Sequence, residues 1–120
     1  MLEVKELQYF VVCADLSSFS RAAEVLYTTQ PNVSKVIRSL EEKLGFEVFE
    51  RDNRGIKLTR RGRQAYEYAG KILEQERQLA QYIRLMTGKN SAYQAIQVRG
   101  WRDALRIITS NILMRMSDII

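Results

Sequence analysis

The chain of 120 residues contains no histidine and one cysteine, Cys13. A zinc centre draws on several Cys and His ligands and acid–base catalysis leans most often on His. A zinc site and a His-dependent catalytic group are therefore excluded, and the reading is a non-enzyme with no metal and no cofactor. A lone cysteine closes no internal disulfide and suits a reducing compartment. Cys13 lies in an apolar helical stretch and reads as a core residue rather than a redox sensor. The opening MLEVKELQYF is not a basic segment followed by an apolar run, and nowhere do about eighteen apolar residues follow one another. The expectation is a cytoplasmic protein without a membrane partner.

What is present is positive charge, unevenly spread. Nineteen Lys and Arg stand against fourteen Asp and Glu, a net charge of +5, which favours a polyanionic partner. The excess is local. Between Arg51 and Arg63 lie six cations (Arg51, Arg54, Lys57, Arg60, Arg61, Arg63) and one acid, Asp52, whereas the remainder is nearly balanced.

Phe19 to Gly45, FSRAAEVLYTTQPNVSKVIRSLEEKLG, organises the chain. Ala22, Ala23 and Leu26 form one apolar stripe at helical spacing, and Val33, Val36, Ile37, Leu40 and Leu44 form a second. The two helices bury these stripes against each other. Between them Thr29 can cap a new helix, and Pro31 falls where its missing N–H costs nothing. Opposite its stripe the second helix displays Gln30, Asn32, Ser34, Lys35, Arg38 and Ser39. That set of donors and acceptors, with two cations and no acid, suits a DNA major groove.

Val4, Leu7, Phe10, Val11 and Ala14 predict a first helix over Glu3 to Asp15, closing on the other two, with Ser17 and Ser18 as its stop and the next cap. After Gly45, alternation over Phe46 to Arg51, turn chemistry at Asp52-Asn53-Arg54-Gly55 and renewed alternation over Ile56 to Thr59 predict a small hairpin. Too short to stand alone, it rests on the helices through Val48, Phe49 and Leu58. From Thr59 or Arg60 to Met86 the pattern is one long helix, with Ala65, Ile72, Leu79 and Met86 every seven residues and Tyr68, Ala69, Tyr82 and Ile83 beside them. At about 27 residues it would extend about 40 Å, further than a ninety-residue domain covers, so it is expected to pair with a second copy. A helix folded back on its own domain is the plainer alternative. Gly88-Lys89-Asn90-Ser91 reads as a hinge. Beyond it, Ala104 to Ser110 resembles a buried strand and Ile112 to Ile120 the start of an apolar helix, with Arg99, Trp101 and Arg102 in a crossover segment or tail.

Leu7 and Phe10, SFSRAAEVL (Ser18 to Leu26), TQPNVSKVIRSLEEKLG (Thr29 to Gly45), VFER (Val48 to Arg51) and LTRRG (Leu58 to Gly62) closely resemble the amino-terminal part of LysR-type transcriptional regulators. The resemblance covers Leu2 to Gly88. It implies a mainly α fold: a winged helix-turn-helix (three helices plus a small β-hairpin) followed by a long dimerising linker helix. The expected divisions are a DNA-binding domain over 1–58, a linker and dimerisation helix over 59–87, and a hinge with the first strand and helix of a truncated effector domain over 88–120.

Carried over by position, Thr29, Gln30, Pro31, Asn32, Ser34 and Lys35 would face bases and nearby phosphates, and Arg51 and Arg54 would reach the backbone or minor groove from the wing. Gln30 and Asn32 can pair with a base edge, adenine most easily, and Lys35 or Arg38 with guanine or phosphate. Ala65, Tyr68, Ile72, Leu79, Tyr82, Ile83 and Met86 are the expected dimerisation residues. Three positions depart from the common pattern. Asn32 stands where a small residue is usual, and Arg61 where alanine is. Tyr27 occupies a turn position where helix-turn-helix proteins often have glycine, so a looser turn is expected.

The reading is a sequence-specific regulator that binds double-stranded DNA as a homodimer, its effector domain essentially absent; a contact with RNA polymerase counts among the partners it admits. The alternative is a truncated interaction subunit that heterodimerises with a full-length relative and modulates it.

Overall fold

The structure, a computed structural model, describes residues 1–88. The strand and helix expected within 104–120, the segment around Trp101 and the hinge beyond Gly88 lie outside the described residues. The order is α1 (Val4–Leu16), α2 (Phe19–Val25), α3 (Gln30–Leu44), β1 (Phe49–Asp52), β2 (Gly55–Leu58) and α4 (Arg60–Thr87). The chain divides into two compact units, Met1–Glu76 and Arg77–Ile120. The first holds α1 to α3, the hairpin and the amino-terminal part of α4.

Side-chain chemistry sets the helix ends. The Glu6 carboxylate accepts from the backbone N–H of Glu3 at 2.9 Å as α1 begins, and Ser17 ends α1 in the left-handed region at φ 52°. Ser18 then accepts from the Arg21 amide at 3.1 Å. Thr29 caps α3 by accepting from the Asn32 amide at 3.3 Å, with Pro31 in the first turn. Gly45 closes that helix at φ 81°, its N–H donating to the Glu41 carbonyl. Caps of this kind stabilise by about 1 kcal/mol each. The α2–α3 turn departs from expectation. Tyr27 itself adopts the left-handed conformation at φ 54°, a local cost of about 1–2 kcal/mol, so the turn is tight without a glycine.

Val33, Ile37 and Leu40 are fully buried on α3, against Phe10, Val11 and Val12 of α1 and Ala22 and Ala23 of α2. α1 is buried beyond the one expected stripe, since Glu6, Tyr9, Val12 and Cys13 are also covered while Val4 is exposed. The reason is that α1 meets neighbours on two sides: α2 and α3 on one, and on the other the hairpin and α4, where Phe10 meets Phe49 and Tyr66 edge-on and the Tyr66 hydroxyl donates to Asp15.

The hairpin is antiparallel with Phe49 opposite Leu58 and Asp52 opposite Gly55. Its first strand starts at Phe49 rather than Phe46, because the Val48 N–H is diverted to the Glu41 carboxylate at 2.8 Å. Phe49 is the buried residue of β1, and its ring lies 5.6 Å from Phe10 and 5.8 Å from Phe19, centroid to centroid. Glycine matters at Gly62, where a Cβ would fall 2.1 Å from the Val48 carbonyl oxygen. Only a bare backbone lets α4 start this close to the hairpin. Thr59 caps that start, accepting from the Gly62 amide at 2.9 Å. Further along, Ala69 and Leu73 are buried, so Ala69, expected beside the dimer row, packs within its own unit.

Candidate nucleic-acid interface

α3 turns its apolar face inward and leaves Gln30, Pro31, Lys35 and Arg38 exposed, with Asn32 and Ser34 half-buried. The Thr29 hydroxyl accepts the cap bond from the Asn32 amide and keeps its own O–H as a donor on an exposed residue. Two further side chains anchor the polar residues of the helix start. The Ser20 hydroxyl donates to the Gln30 side-chain oxygen at 3.0 Å, and the Asn32 side-chain N–H donates to the Thr28 hydroxyl at 2.9 Å. Neither Ser20 nor Thr28 was among the expected site residues. The Thr28–Asn32 spacing of four across a helix start is a legible signal; the Ser20–Gln30 pair joins two helices and is not.

From behind, Glu6 grips the second half of α3. This carboxylate is 3% exposed; it accepts from Lys43 Nζ and from the Ser39 hydroxyl, each at 2.9 Å. Burial pushes its pKa up, but the hydrogen bonds from Lys43, the Glu3 amide and Ser39, with the Lys43 charge, outweigh that and hold it below the ordinary carboxylate value. Ser39, read from the sequence as part of the displayed polar face, therefore points its hydroxyl at α1.

The hairpin supplies cations. Arg51 and Arg54 are exposed, and the Arg51 guanidinium sits 4.9 Å from the centroid of the Phe19 ring. The Asp52 carboxylate accepts from the Arg54 amide at 2.8 Å, which fixes the turn that carries Arg54. Lys57 pairs with Glu50 at 3.5 Å, whereas among the described residues no carboxylate lies within ion-pair distance of Lys35, Arg38, Arg51 or Arg54. Phe19 touches the hairpin and its neighbour Ser20 touches Gln30, so the first turn of α2 lies between the two arms of the site. The geometry thus joins neutral amides on a capped helix to unpaired cations on a hairpin. The former can discriminate base edges and the latter can neutralise phosphate.

On α4 the expected dimerisation residues Tyr68 and Ile72 are exposed in the first unit, and Leu79, Tyr82, Ile83 and Met86 are exposed on the part beyond Arg77, joined there by Leu85. Ala65 is half-buried. An open groove of about 420 Å³ in the first unit is lined by Leu2, Leu44, Phe46, Ala65, Tyr68 and Ile72 among others. Among the described residues no group of three or more His, Cys, Asp and Glu could hold a metal ion, and no helix is long and apolar enough to cross a membrane.

Comparison with known proteins places this geometry. Residues 4–63 match the model of the bacterial regulatory helix-turn-helix proteins of the lysR family. The HTH-type transcriptional regulator BenM of Acinetobacter baylyi is 42% identical over 72 residues, 60% of this chain and 24% of that protein. The crystal structure of the BenM DNA-binding domain with benA site 1 DNA superposes with a TM-score of 0.68 at 35% identity, over 74% of this chain and 100% of that one. The complex of the CbnR DNA-binding domain with DNA gives a TM-score of 0.67 at 32% identity, over 72% of this chain and 99% of that one. The chain spans 19–25% of the length of the first curated relatives it matches.

Proposed function

The chain belongs to the lysR family of bacterial regulatory helix-turn-helix proteins, and on that premise we propose that it is a sequence-specific, duplex-DNA-binding transcription regulator. The observation that carries the reading is the pairing of an acid-free polar face on α3 with the unpaired Arg51 and Arg54 of the hairpin. Gln30, Asn32, Ser34, Lys35 and Arg38 enter the major groove, Pro31 and Thr29 set the entry of the helix, and Arg51 and Arg54 hold phosphate or minor groove. BenM and CbnR domains of the same fold have been crystallised with DNA, which supports the assignment. The working compartment is the cytoplasm, and RNA polymerase is the further partner such a regulator would contact.

The protein acts as a dimer through α4. Tyr68 and Ile72 border the apolar groove of the first unit, and Leu79, Tyr82, Ile83 and Met86 repeat along the rest of the helix with their side chains exposed. That much apolar surface on a helix calls for a partner helix. A second copy supplies one; a full-length relative, in a modulating heterodimer, would use the same residues.

Two measurements test the reading. Titration of the full chain with duplex DNA flanking its own coding sequence should show binding whose affinity falls linearly with log salt, with a slope set by the phosphates contacted. No binding at low salt overturns it. Light scattering at micromolar concentration should give a dimer that Leu79→Asp weakens; a monomer indifferent to that substitution removes the dimer.

A further inference from the structure

The two amides that read bases are fixed before DNA arrives, and the residues that fix them stand outside the recognition helix. Gln30 has its side-chain oxygen held by the Ser20 hydroxyl at 3.0 Å, a bond from the first turn of α2. Asn32 has its side-chain nitrogen held by the Thr28 hydroxyl at 2.9 Å, a bond from the turn in which Tyr27 takes φ 54°. We propose that Ser20 and Thr28 are positioning residues for base reading, clamping Gln30 and Asn32 in the rotamers that meet the major groove. This rests on the DNA-binding reading above.

Hydrogen-bond capacity makes the clamp workable. A side-chain amide offers two N–H donors and two acceptor lone pairs. Gln30 spends one lone pair on Ser20 and keeps both donors and one acceptor. Asn32 spends one N–H on Thr28 and keeps one donor and both acceptors. Each retains the donor and the acceptor that a bidentate contact with an adenine edge uses. The clamp therefore occupies capacity that base reading does not need. What it supplies is order: an exposed glutamine otherwise samples several rotamers, and immobilising one such side chain on binding costs about two- to tenfold in affinity.

The two clamps also divide the labour between elements. Ser20 follows Phe19, whose ring meets Phe49 and the Arg51 guanidinium. The rotamer of Gln30 is thereby referred to the same turn of α2 that seats the wing. Thr28 is fixed by its own backbone N–H, which donates to the Ala23 carbonyl at 2.9 Å. The left-handed Tyr27 that precedes it is the backbone condition for placing the Thr28 hydroxyl four residues before Asn32.

The test uses the full chain and a duplex site selected by it from a randomised pool, with a scrambled duplex as reference and circular dichroism as the folding control. Ser20→Ala and Thr28→Val should each lower affinity for the selected site about two- to tenfold and leave the scrambled duplex unchanged. In Gln30→Ala and Asn32→Ala backgrounds the same substitutions should cost nothing further, because a positioning residue has nothing left to position. A loss equal on both duplexes, or one that persists in those backgrounds, overturns the clamp and assigns Ser20 or Thr28 a direct DNA contact or a folding role. A wild-type chain that binds without sequence preference overturns both the clamp and the base-reading function, whereas a ratio of selected-site to scrambled affinity left unchanged by both hydroxyl deletions overturns the clamp alone.

Discussion

The two elements proposed to meet DNA, α3 and the hairpin, are built on opposite terms. α3 is capped at both ends, carries three fully buried residues and is gripped from behind by Glu6. The wing has strands of four residues and, in β1, a single buried side chain. The chemistry each displays matches its stiffness. Telling one base edge from another depends on hydrogen bonds that fail over fractions of an ångström, so the amides of Gln30 and Asn32 need an immobile frame. Attraction between an arginine and a phosphate decays slowly with distance, so the phosphate-holding role proposed for Arg51 and Arg54 tolerates a lightly anchored hairpin.

Six substitutions, taken in four comparisons, would break or sharpen that contrast. The largest effect should come from the wing's one deep anchor: Phe49→Ala removes a ring wedged between Phe10 and Phe19 and should cost about 3–5 kcal/mol in urea denaturation. A cost below about 1 kcal/mol would mean the hairpin is held by its backbone contacts instead. Next is the grip behind α3. Glu6→Ala takes the shared acceptor away from the Lys43 ammonium and the Ser39 hydroxyl, both partly exposed to solvent, and should cost about 1–3 kcal/mol. The sign with pH follows from its lowered pKa: the unfolded chain binds the proton first, so the carboxylate's contribution is complete above the ordinary Glu range and is lost as pH falls through and below it. Glu6→Gln should flatten the acid limb of the stability curve, and an unchanged limb would show that other carboxylates dominate it.

The third comparison separates the two arms by their proposed function. Gln30→Ala should lose about 1–3 kcal/mol on the preferred site and little on random DNA, whereas Arg54→Ala should weaken both alike and lower the salt slope by about one. Identical profiles for the two variants would erase the distinction. The smallest effect belongs to the exposed Glu50–Lys57 pair. Glu50→Gln should change stability by less than about 1 kcal/mol, while slightly raising affinity for any duplex by removing an acid from a cationic hairpin.

Much of this frame was legible in the residues. The caps at Ser18 and Thr29, the Gly45 stop and the stripe of Val33, Ile37 and Leu40 are local patterns, and local patterns survive into the fold. What escaped the sequence is tertiary. The starting point of β1 depends on the Glu41 carboxylate capturing the Val48 amide, and the necessity of Gly62 on a backbone approach no single-chain pattern encodes. Nothing local marks Glu6, because an acid near a helix start is usually solvated. Its partners lie more than thirty residues away at Ser39 and Lys43. Tyr27 was read through the general preference for glycine at such turns, yet the tyrosine itself takes the positive φ, with the next amide, that of Thr28, closing on the Ala23 carbonyl.

The burial of Cys13 has a practical side. The side chain is fully enclosed, and burial pushes the thiol pKa up to about 12, so the folded chain offers almost no thiolate to an alkylating or disulfide reagent. Because it is the sole cysteine in the sequence, its labelling rate becomes a built-in clock for opening of the α1 core, since the sulfur reacts only from states in which that core has parted. The same silence leaves the surface free for chemistry of choice: a cysteine introduced on the wing would be the one site a fluorophore modifies, and the hairpin's proposed approach to DNA could be followed without replacing Cys13.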